Sequence, residues 1–135
     1  MQRRFQDIEL GDELQEYAPD ISLSAVRSFA EAVGVGRVGR FTDHEQARRE
    51  GLPGAIVPGI MSQGILAAMI HKWAPGCQIR KLDTVFRAPI VVDSQARCRG
   101  VITDTEPDTS SVDIDLTIVN EAGETRVLGT ATVRI

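Results

Sequence analysis

The amino-acid sequence predicts an α+β fold in which helices come first and an antiparallel sheet follows. In the first half of the chain, apolar residues recur at helical spacing, most densely between Pro58 and Lys72. From Leu82 onward apolar and polar residues alternate, which is typical of strands. A chain of 135 residues is the length that one core serves, and no linker or internal repeat divides it. We therefore expect a single domain over residues 1–135.

Composition and charge exclude several classes of function. The chain has 15 Lys and Arg against 19 Asp and Glu, a net charge of −4, which argues against a nucleic-acid-binding protein. No apolar stretch reaches the roughly 18 residues of a membrane span, and no apolar signal-peptide core follows Met1. Cys77 and Cys98 are too far apart for a disulfide framework or a CxxC metal site. We expect a cytoplasmic protein without metal and without membrane contact.

The region before residue 51 contains two predicted helices and a glycine-rich loop. Ser24 is the expected N-cap of a helix that runs through Val33. The glycines of residues 33–40 predict a flexible basic loop, and no hydrophobic strand precedes it, so it does not fit the dinucleotide-binding fingerprint. Asp43 precedes a short charged helix of residues 44–50, which Gly51 ends.

The helix predicted from Pro58 to Lys72 is apolar on nearly every face, so we expect it to be buried on most sides. Gly64 and two neighbouring alanines would allow a sheet to pack closely against it. Ser62 and Gln63 are the polar side chains within its apolar run. Each of them either faces a ligand or forms a hydrogen bond to a neighbouring segment.

Four alternating runs predict four strands. The turn clusters Glu106-Pro107-Asp108 and Glu121-Ala122-Gly123-Glu124 predict connections between antiparallel neighbours. We therefore expect a four-strand antiparallel meander that encloses the apolar helix. The alternating runs contain Leu82–Phe86, Ala96–Ile102, Val112–Ile118 and Val127–Ile135.

Three segments, in the same order along the chain, resemble the MaoC-like dehydratases and (R)-specific enoyl-CoA hydratases. The resemblance implies a hot-dog fold, in which a curved antiparallel sheet wraps around a central apolar helix. It also implies a coenzyme A thioester as substrate or ligand, with no further cofactor. The segments are Asp7-Ile8-Glu9-Leu10-Gly11-Asp12-Glu13-Leu14, residues 43–59, and Phe86-Arg87-Ala88-Pro89-Ile90-Val91-Val92-Asp93.

The residues that carry catalysis in this family have no counterpart here. The family uses an Asp, a His five residues later, and a second Asp two residues after that His. When the second Asp is placed on Asp43, the catalytic His falls on Phe41 and the catalytic Asp on Gly36. Neither side chain can hold or move a proton, so the resemblance predicts a chain whose catalytic dyad is missing.

Besides proton transfer, the family's reaction needs hydrogen-bond donors that stabilise the charge on the thioester oxygen. A helix N-terminus supplies such donors from its backbone, because its first N–H groups are free and its dipole is positive there. We expect these donors at Gly59, Ile60 and Met61, after Pro58, which has no N–H group.

Candidate site residues follow from these comparisons. Asp43 and His44 are the candidates for a displaced catalytic acid or base. An Asp directly before a helix is also a typical N-cap, and the charged neighbours of His44 indicate a solvated side chain. The basic candidates Arg37, Arg40, Arg80 and Lys81 would receive the phosphates of coenzyme A. The predicted substrate-binding residues are Arg37, Arg40, Phe41, Pro58, Gly59, Ser62, Gln63, Arg80 and Lys81.

Three functions are compatible with this sequence. The first is an enoyl-CoA hydratase or dehydratase with an altered site, and the second is a non-catalytic hot-dog subunit that binds the acyl thioester for a catalytic partner. The third is an acyl-CoA thioesterase, which requires a carboxylate near the central helix, where Asp43 and Glu50 are the candidates. A sheet of this kind leaves an exposed edge, so we expect a homodimer or a heterodimer with another hot-dog chain.

Overall fold

The computed structural model describes residues 2–135. Helices and strands follow one another in the predicted α+β order, with the helices first. The helices are α1 (Leu23–Ala32), α2 (Gly39–Thr42), α3 (His44–Arg49) and α4 (Gly59–Trp73), and the strands are β1 (Gln78–Phe86), β2 (Ala96–Glu106), β3 (Ser111–Asn120) and β4 (Thr125–Arg134).

The four strands form one antiparallel sheet in the order β1-β4-β3-β2. Strands β2, β3 and β4 form the expected meander, and both predicted turn clusters join antiparallel neighbours. The prediction that all four strands follow one another in chain order is wrong, because β1 pairs with β4. After β1 the chain does not turn back on itself. Residues 87–95 instead pair with the segment before α4, through hydrogen bonds from Val57 N–H to Ile90 O (2.8 Å) and from Val92 N–H to Ala55 O (2.8 Å).

The core lies between α4 and the inner face of the sheet, as the apolar pattern of the helix predicts. Leu66 and Ile70 of α4 are fully buried, and so are the inward-facing side chains of β3. Gly129 of β4 packs against the helix, since an added Cβ would lie 3.5 Å from Leu66 Cδ1. The prediction that Gly64 faces the sheet is wrong, because this glycine is exposed and nothing lies within 4 Å of its Cβ position.

The helix boundaries differ from the predictions by one or two residues. Helix α1 begins at Leu23, and its N-cap is Ser22, whose Oγ accepts a hydrogen bond from Ala25 N–H at 3.2 Å. Ser24 is therefore not the cap. Gly39 and Arg40, the end of the predicted loop, instead belong to the single turn α2. Asp43 caps α3 as predicted, since its Oδ1 accepts from the backbone N–H groups of Glu45 and Gln46.

The two edges of the sheet differ in their surroundings. Residues Glu13 and Tyr17 form isolated bridges to Val101 and Cys98 on the outer side of β2. Strand β1 has only β4 as a partner within residues 2–135, so its other side is an open edge. Among these residues no helix combines the length and the apolar character that crossing a membrane requires.

Candidate functional site

A mostly apolar cavity of about 370 Å³ opens beside the N-terminus of α4. Four stretches of chain form its walls: the α2 turn, the start of α4 with the residues before it, the end of β1 with the segment that follows it, and β4. Its lining combines aliphatic and aromatic side chains with one hydroxyl group and one guanidinium group. The lining residues are Phe41, Ile56, Val57, Gly59, Ser62, Phe86, Arg87, Ala88, Pro89, Ile90 and Val127.

Two backbone N–H groups at this end of α4 lack a backbone acceptor. Helix α4 begins at Gly59, and the carbonyl group of Pro58 accepts from Met61 N–H at 3.0 Å and from Ser62 N–H at 3.2 Å. Met61 is therefore not a free donor, contrary to the prediction. The N–H groups of Gly59 and Ile60 are those left without a backbone partner, at the positive end of the helix dipole.

Ser62 and Gln63, the polar pair of the central helix, have different surroundings. The Gln63 amide donates to Thr84 Oγ1 of β1 at 2.8 Å, so this side chain joins the helix to the sheet. Ser62 is 2% exposed and lines the cavity. Gln63 therefore follows the second of the two predicted alternatives, a hydrogen bond to a neighbouring segment, and contact of Ser62 with a ligand stays a prediction.

Two phenylalanines make the cavity a poor environment for proton transfer. Phe41, at the position where the family's catalytic His would lie, belongs to the cavity wall. Phe86, 51% exposed, covers the start of α4, and a Cβ added to Gly59 would lie 3.1 Å from its ring. No carboxylate lines this cavity among the described residues. Its walls therefore favour an apolar group, and the free backbone N–H group of Gly59 can bind a polar atom there.

Gly36, where the resemblance predicts the family's catalytic Asp, lies in a different depression. Gly36, Arg37 and Asp43 line a groove of about 710 Å³ together with Glu31, and this groove shares no lining residue with the cavity. The Asp43 carboxylate caps α3 there through its Oδ1 atom. A role of Asp43 in proton transfer stays a prediction, and it would use a carboxylate that already holds a helix terminus.

His44 is not the solvated side chain that its charged neighbours indicate. Its Nδ1 atom accepts a hydrogen bond from Ala55 N–H at 3.0 Å, so the ring proton lies on Nε2, which donates to Asp93 Oδ2 at 2.8 Å. Both ring nitrogens are thus engaged, and His44 does not line the cavity. The hydrogen bonds from His44 and from Leu23 N–H hold the pKa of Asp93 below its ordinary value.

The basic residues predicted for a phosphate group do not gather at the cavity. Arg40 lies 3.7 Å from Glu50, and Lys81 lies 3.4 Å from Asp83. Arg80 lies at a register irregularity of β1, roughly 20 Å along the strand from the cavity at about 3.3 Å per residue. Their role toward a phosphate stays a prediction. Pro58, which was also predicted to bind substrate, is buried, and its carbonyl group accepts hydrogen bonds from the first turn of α4.

The cation that does line the cavity is Arg87, which the sequence analysis did not select. The signal available in sequence was its place in the Phe86–Asp93 segment, directly after an alternating run.

From residue 2 to residue 135, no three His, Cys, Asp or Glu side chains form a metal-binding group. Burial raises the pKa of the Cys98 thiol to about 12, which makes it a packing residue.

No family model matches the sequence, and no curated protein matches it significantly. Solved structures do match. An (R)-hydratase from A. caviae involved in PHA biosynthesis superposes with a TM-score of 0.88 at 18% identity, over 96% of this chain and 98% of the other. A MaoC-like dehydratase gives 0.84 at 25% identity, over 97% of this chain but 42% of the longer one. A chain of the ChsH1-ChsH2 complex from Mycobacterium tuberculosis gives 0.84 at 16% identity, over 94% of this chain and 98% of the other.

The chain has the hot-dog fold. The fold predicted from the three sequence segments is thereby confirmed, and the structural neighbours are MaoC-like dehydratases and (R)-hydratases, the proteins that those segments resemble. In this hot-dog domain the central helix is α4, and the cavity lies at its N-terminus between helix and sheet. The absence of the family's catalytic dyad from this hot-dog chain stays a prediction.

Proposed function

We propose that this chain is an acyl-thioester-binding protein of the enoyl-CoA hydratase and dehydratase class, and that it acts as one subunit of a hot-dog assembly. The observation that supports the proposal is the cavity at the start of α4. It combines apolar walls with the free N–H group of Gly59 and the hydroxyl group of Ser62. The ligand proposed for it is a coenzyme A thioester.

The proposed binding mode follows from the polarity of the cavity. The acyl chain lies against Phe41, Ile56 and the aliphatic residues beyond them, where it is removed from water. The thioester oxygen accepts hydrogen bonds from Gly59 N–H and from the Ser62 hydroxyl group. Donors fixed at this position stabilise the charge that the oxygen gains when water adds to the double bond.

Hydration also needs a base that activates water and an acid that protonates the α-carbon, each typically contributing ~10²–10⁴-fold. Gly36 and Phe41 provide neither group at the family's positions. In the proposal, a second hot-dog chain with the Asp and His supplies the proton transfer. Hot-dog chains do form complexes of two different proteins, as in ChsH1-ChsH2. The open edge of β1 is the surface proposed for the partner.

A hydratase with its own altered site is the second candidate, since Asp43 and Glu31 both line the groove next to α2. This candidate predicts substantial turnover by the isolated chain, on the order of 10 s⁻¹, and its loss in Asp43→Asn. The subunit proposal predicts turnover at least ~100-fold lower from the isolated chain, and no change in Asp43→Asn beyond the weaker α3 cap. Initial rates with a straight-chain enoyl-CoA, with and without the chain that co-purifies, separate the two. The thioesterase alternative lacks support, because no carboxylate among the described residues lines the cavity.

The binding proposal is tested by removing one donor while the helix is kept. Gly59→Pro deletes the N–H group at the first helical position, where proline is well tolerated. The preceding residue, Pro58, has ψ 139°, an extended conformation that accepts a following proline. Gly59→Ala is the matched control, because its Cβ meets the same Phe86 ring but its N–H group remains.

We expect Gly59→Pro to weaken the binding of a non-hydrolysable acyl-CoA analogue by about tenfold relative to Gly59→Ala, the worth of one hydrogen bond in a dry site. Isothermal titration calorimetry measures both affinities, and circular dichroism establishes that both variants are folded. Equal affinities in the two variants would place the thioester oxygen elsewhere and contradict the proposal.

A further inference from the structure

We propose that the mouth of the cavity is an anion site formed by Arg87, and that the preferred ligand carries a negative charge next to its apolar body. The thioester part of this ligand rests on the proposed function. The anion site rests on the position, the rigidity and the missing charge partner of this arginine.

Arg87 is the one ionisable residue in the lining of the cavity, and every other lining residue is neutral. It follows the last residue of β1 directly, on the exposed side of the cavity wall. Its backbone is held in place, because Arg87 N–H donates to Arg126 O at 2.8 Å and Ala88 N–H donates to the same oxygen at 3.3 Å. Pro89 then restricts the chain further. The guanidinium group therefore extends from a fixed point at the cavity mouth.

The charge of Arg87 is not neutralised by the protein. No acidic side chain between residues 2 and 135 lies within 4.0 Å of it. Other arginines nearby on the sheet have such partners: Arg126 lies 3.3 Å from Glu124, and Arg97 lies 3.3 Å from Glu16. An anion at the cavity mouth thus meets positive charge and no opposing carboxylate in the lining.

The fork of N–H groups on a guanidinium matches the oxygen atoms of a carboxylate or a phosphate group. On a thioester ligand these oxygens have two possible sources. One is a carboxylate at the far end of the acyl chain, and the other is the phosphate of the phosphopantetheine arm. Both present the same chemistry to Arg87, and the ligand series below distinguishes them.

The test uses non-hydrolysable 2-oxoalkyl thioether analogues with one acyl length, which keep a carbonyl oxygen for Gly59 N–H. The first ligand is an N-acetylcysteamine derivative without charge. The second carries the phosphate of 4′-phosphopantetheine. The third is the N-acetylcysteamine derivative with a carboxylate added at the end of its acyl chain. Octanoate serves as an anionic ligand without a thioester-like group. Affinities are measured by calorimetry on the intact chain at low and at high salt, since an anion contact of this kind weakens with salt.

The variants are Arg87→Gln, Arg87→Lys and the control Arg134→Gln. Arg134 is exposed on β4 and has no ion pair in the described part of the chain, but it lies at the opposite end of the strand from the cavity. We expect one of the anionic analogues to bind at least about tenfold more tightly than the neutral one, the worth of a charged hydrogen bond. Arg87→Gln abolishes this preference, Arg87→Lys retains part of it, and Arg134→Gln leaves it unchanged.

Each outcome bears on the proposal. A preference for the phosphate or for the carboxylate that is lost in Arg87→Gln supports it and identifies the source. Equal affinity for neutral and anionic analogues, or equal effects of Arg87→Gln and Arg134→Gln, overturns the anion site and leaves the acyl-thioester function standing. Binding of octanoate that depends on Arg87, without binding of any thioester analogue, supports the anion site and contradicts the proposed function. No binding of any ligand contradicts both.

Discussion

His44 joins three segments of the chain through one imidazole ring. Its two nitrogens connect Ala55, which precedes the central helix, to Asp93, and Asp93 Oδ1 in turn accepts from Leu23 N–H at the start of α1. Asp93 has φ 67°, a left-handed conformation that residues other than glycine adopt at a cost. These hydrogen bonds help to keep it there. The segment that carries Ala55 also forms the wall of the cavity, so His44 acts on the site from outside it.

This arrangement gives the first prediction at the scale of a residue. His44→Ala leaves the buried N–H group of Ala55 without an acceptor, which costs about 1–3 kcal/mol of unfolding free energy. Urea denaturation at pH 7 measures the loss. His71→Ala is the control, because His71 is exposed and has only the long contact of 3.7 Å to Cys77 Sγ. A loss no larger than that of His71→Ala would contradict the structural role of His44.

The stability that the Asp93 carboxylate contributes depends on pH, and the lowered pKa of Asp93 determines the direction of this dependence. The pKa of Asp93 is lowered in the folded chain, so its ionised form stabilises the fold above the ordinary pKa of about 3.8. That contribution is lost as the pH falls through the lowered value. We expect Asp93→Asn to be less stable than the original chain at pH 7, and the difference to disappear as the pH falls through the lowered pKa of Asp93. A difference independent of pH would mean that the carboxylate charge does not contribute.

At the scale of the elements, local signals predicted several local contacts, although the cap of α1 is Ser22 and not Ser24. Asp43 stands directly before α3 and caps it, as an Asp at that spacing predicts. The apolar pattern of residues 58–72 places α4 within one residue at each end. The partner of His44 lies 49 residues away in sequence, and no periodicity indicates it. Arg87 was missed for the same reason, because its lack of an acidic partner is a property of the folded surface.

The order of the strands shows the same limit for whole elements. Alternation identifies a strand and the two faces that its side chains take, but it carries no information about which strand lies beside it. The tight turns of Glu106–Asp108 and Glu121–Glu124 identify neighbours, since so few residues can only connect adjacent antiparallel strands. Residues 87–95 are longer and bond to the segment before α4, so β1 was free to pair with β4.

For the whole molecule, the open edge of β1 gives the last prediction. Its outer side presents unpaired backbone groups, and the exposed apolar side chains of Val85 and Phe86 lie at its end. Such an edge favours association with another strand. We expect a dimer or a larger assembly at micromolar concentration, measured by light scattering coupled to gel filtration. Val85→Lys, which places a charge on the edge strand, should shift the population toward the monomer, whereas Val33→Lys, at an exposed position outside the sheet, should not. A monomeric original chain would contradict this expectation.

The pairing of β1 with β4 also decides when during folding the cavity comes into existence. Phe86 and Val127, which line the cavity from the two strands, are register partners although the whole β2–β3 hairpin separates them in sequence. Closing a loop of that length costs conformational entropy before the contacts between β1 and β4 form. Strands β2, β3 and β4, in contrast, can pair through short turns. The hairpins therefore form early and the wall of the cavity forms late. On a ribosome, the cavity is completed only after β4 has emerged.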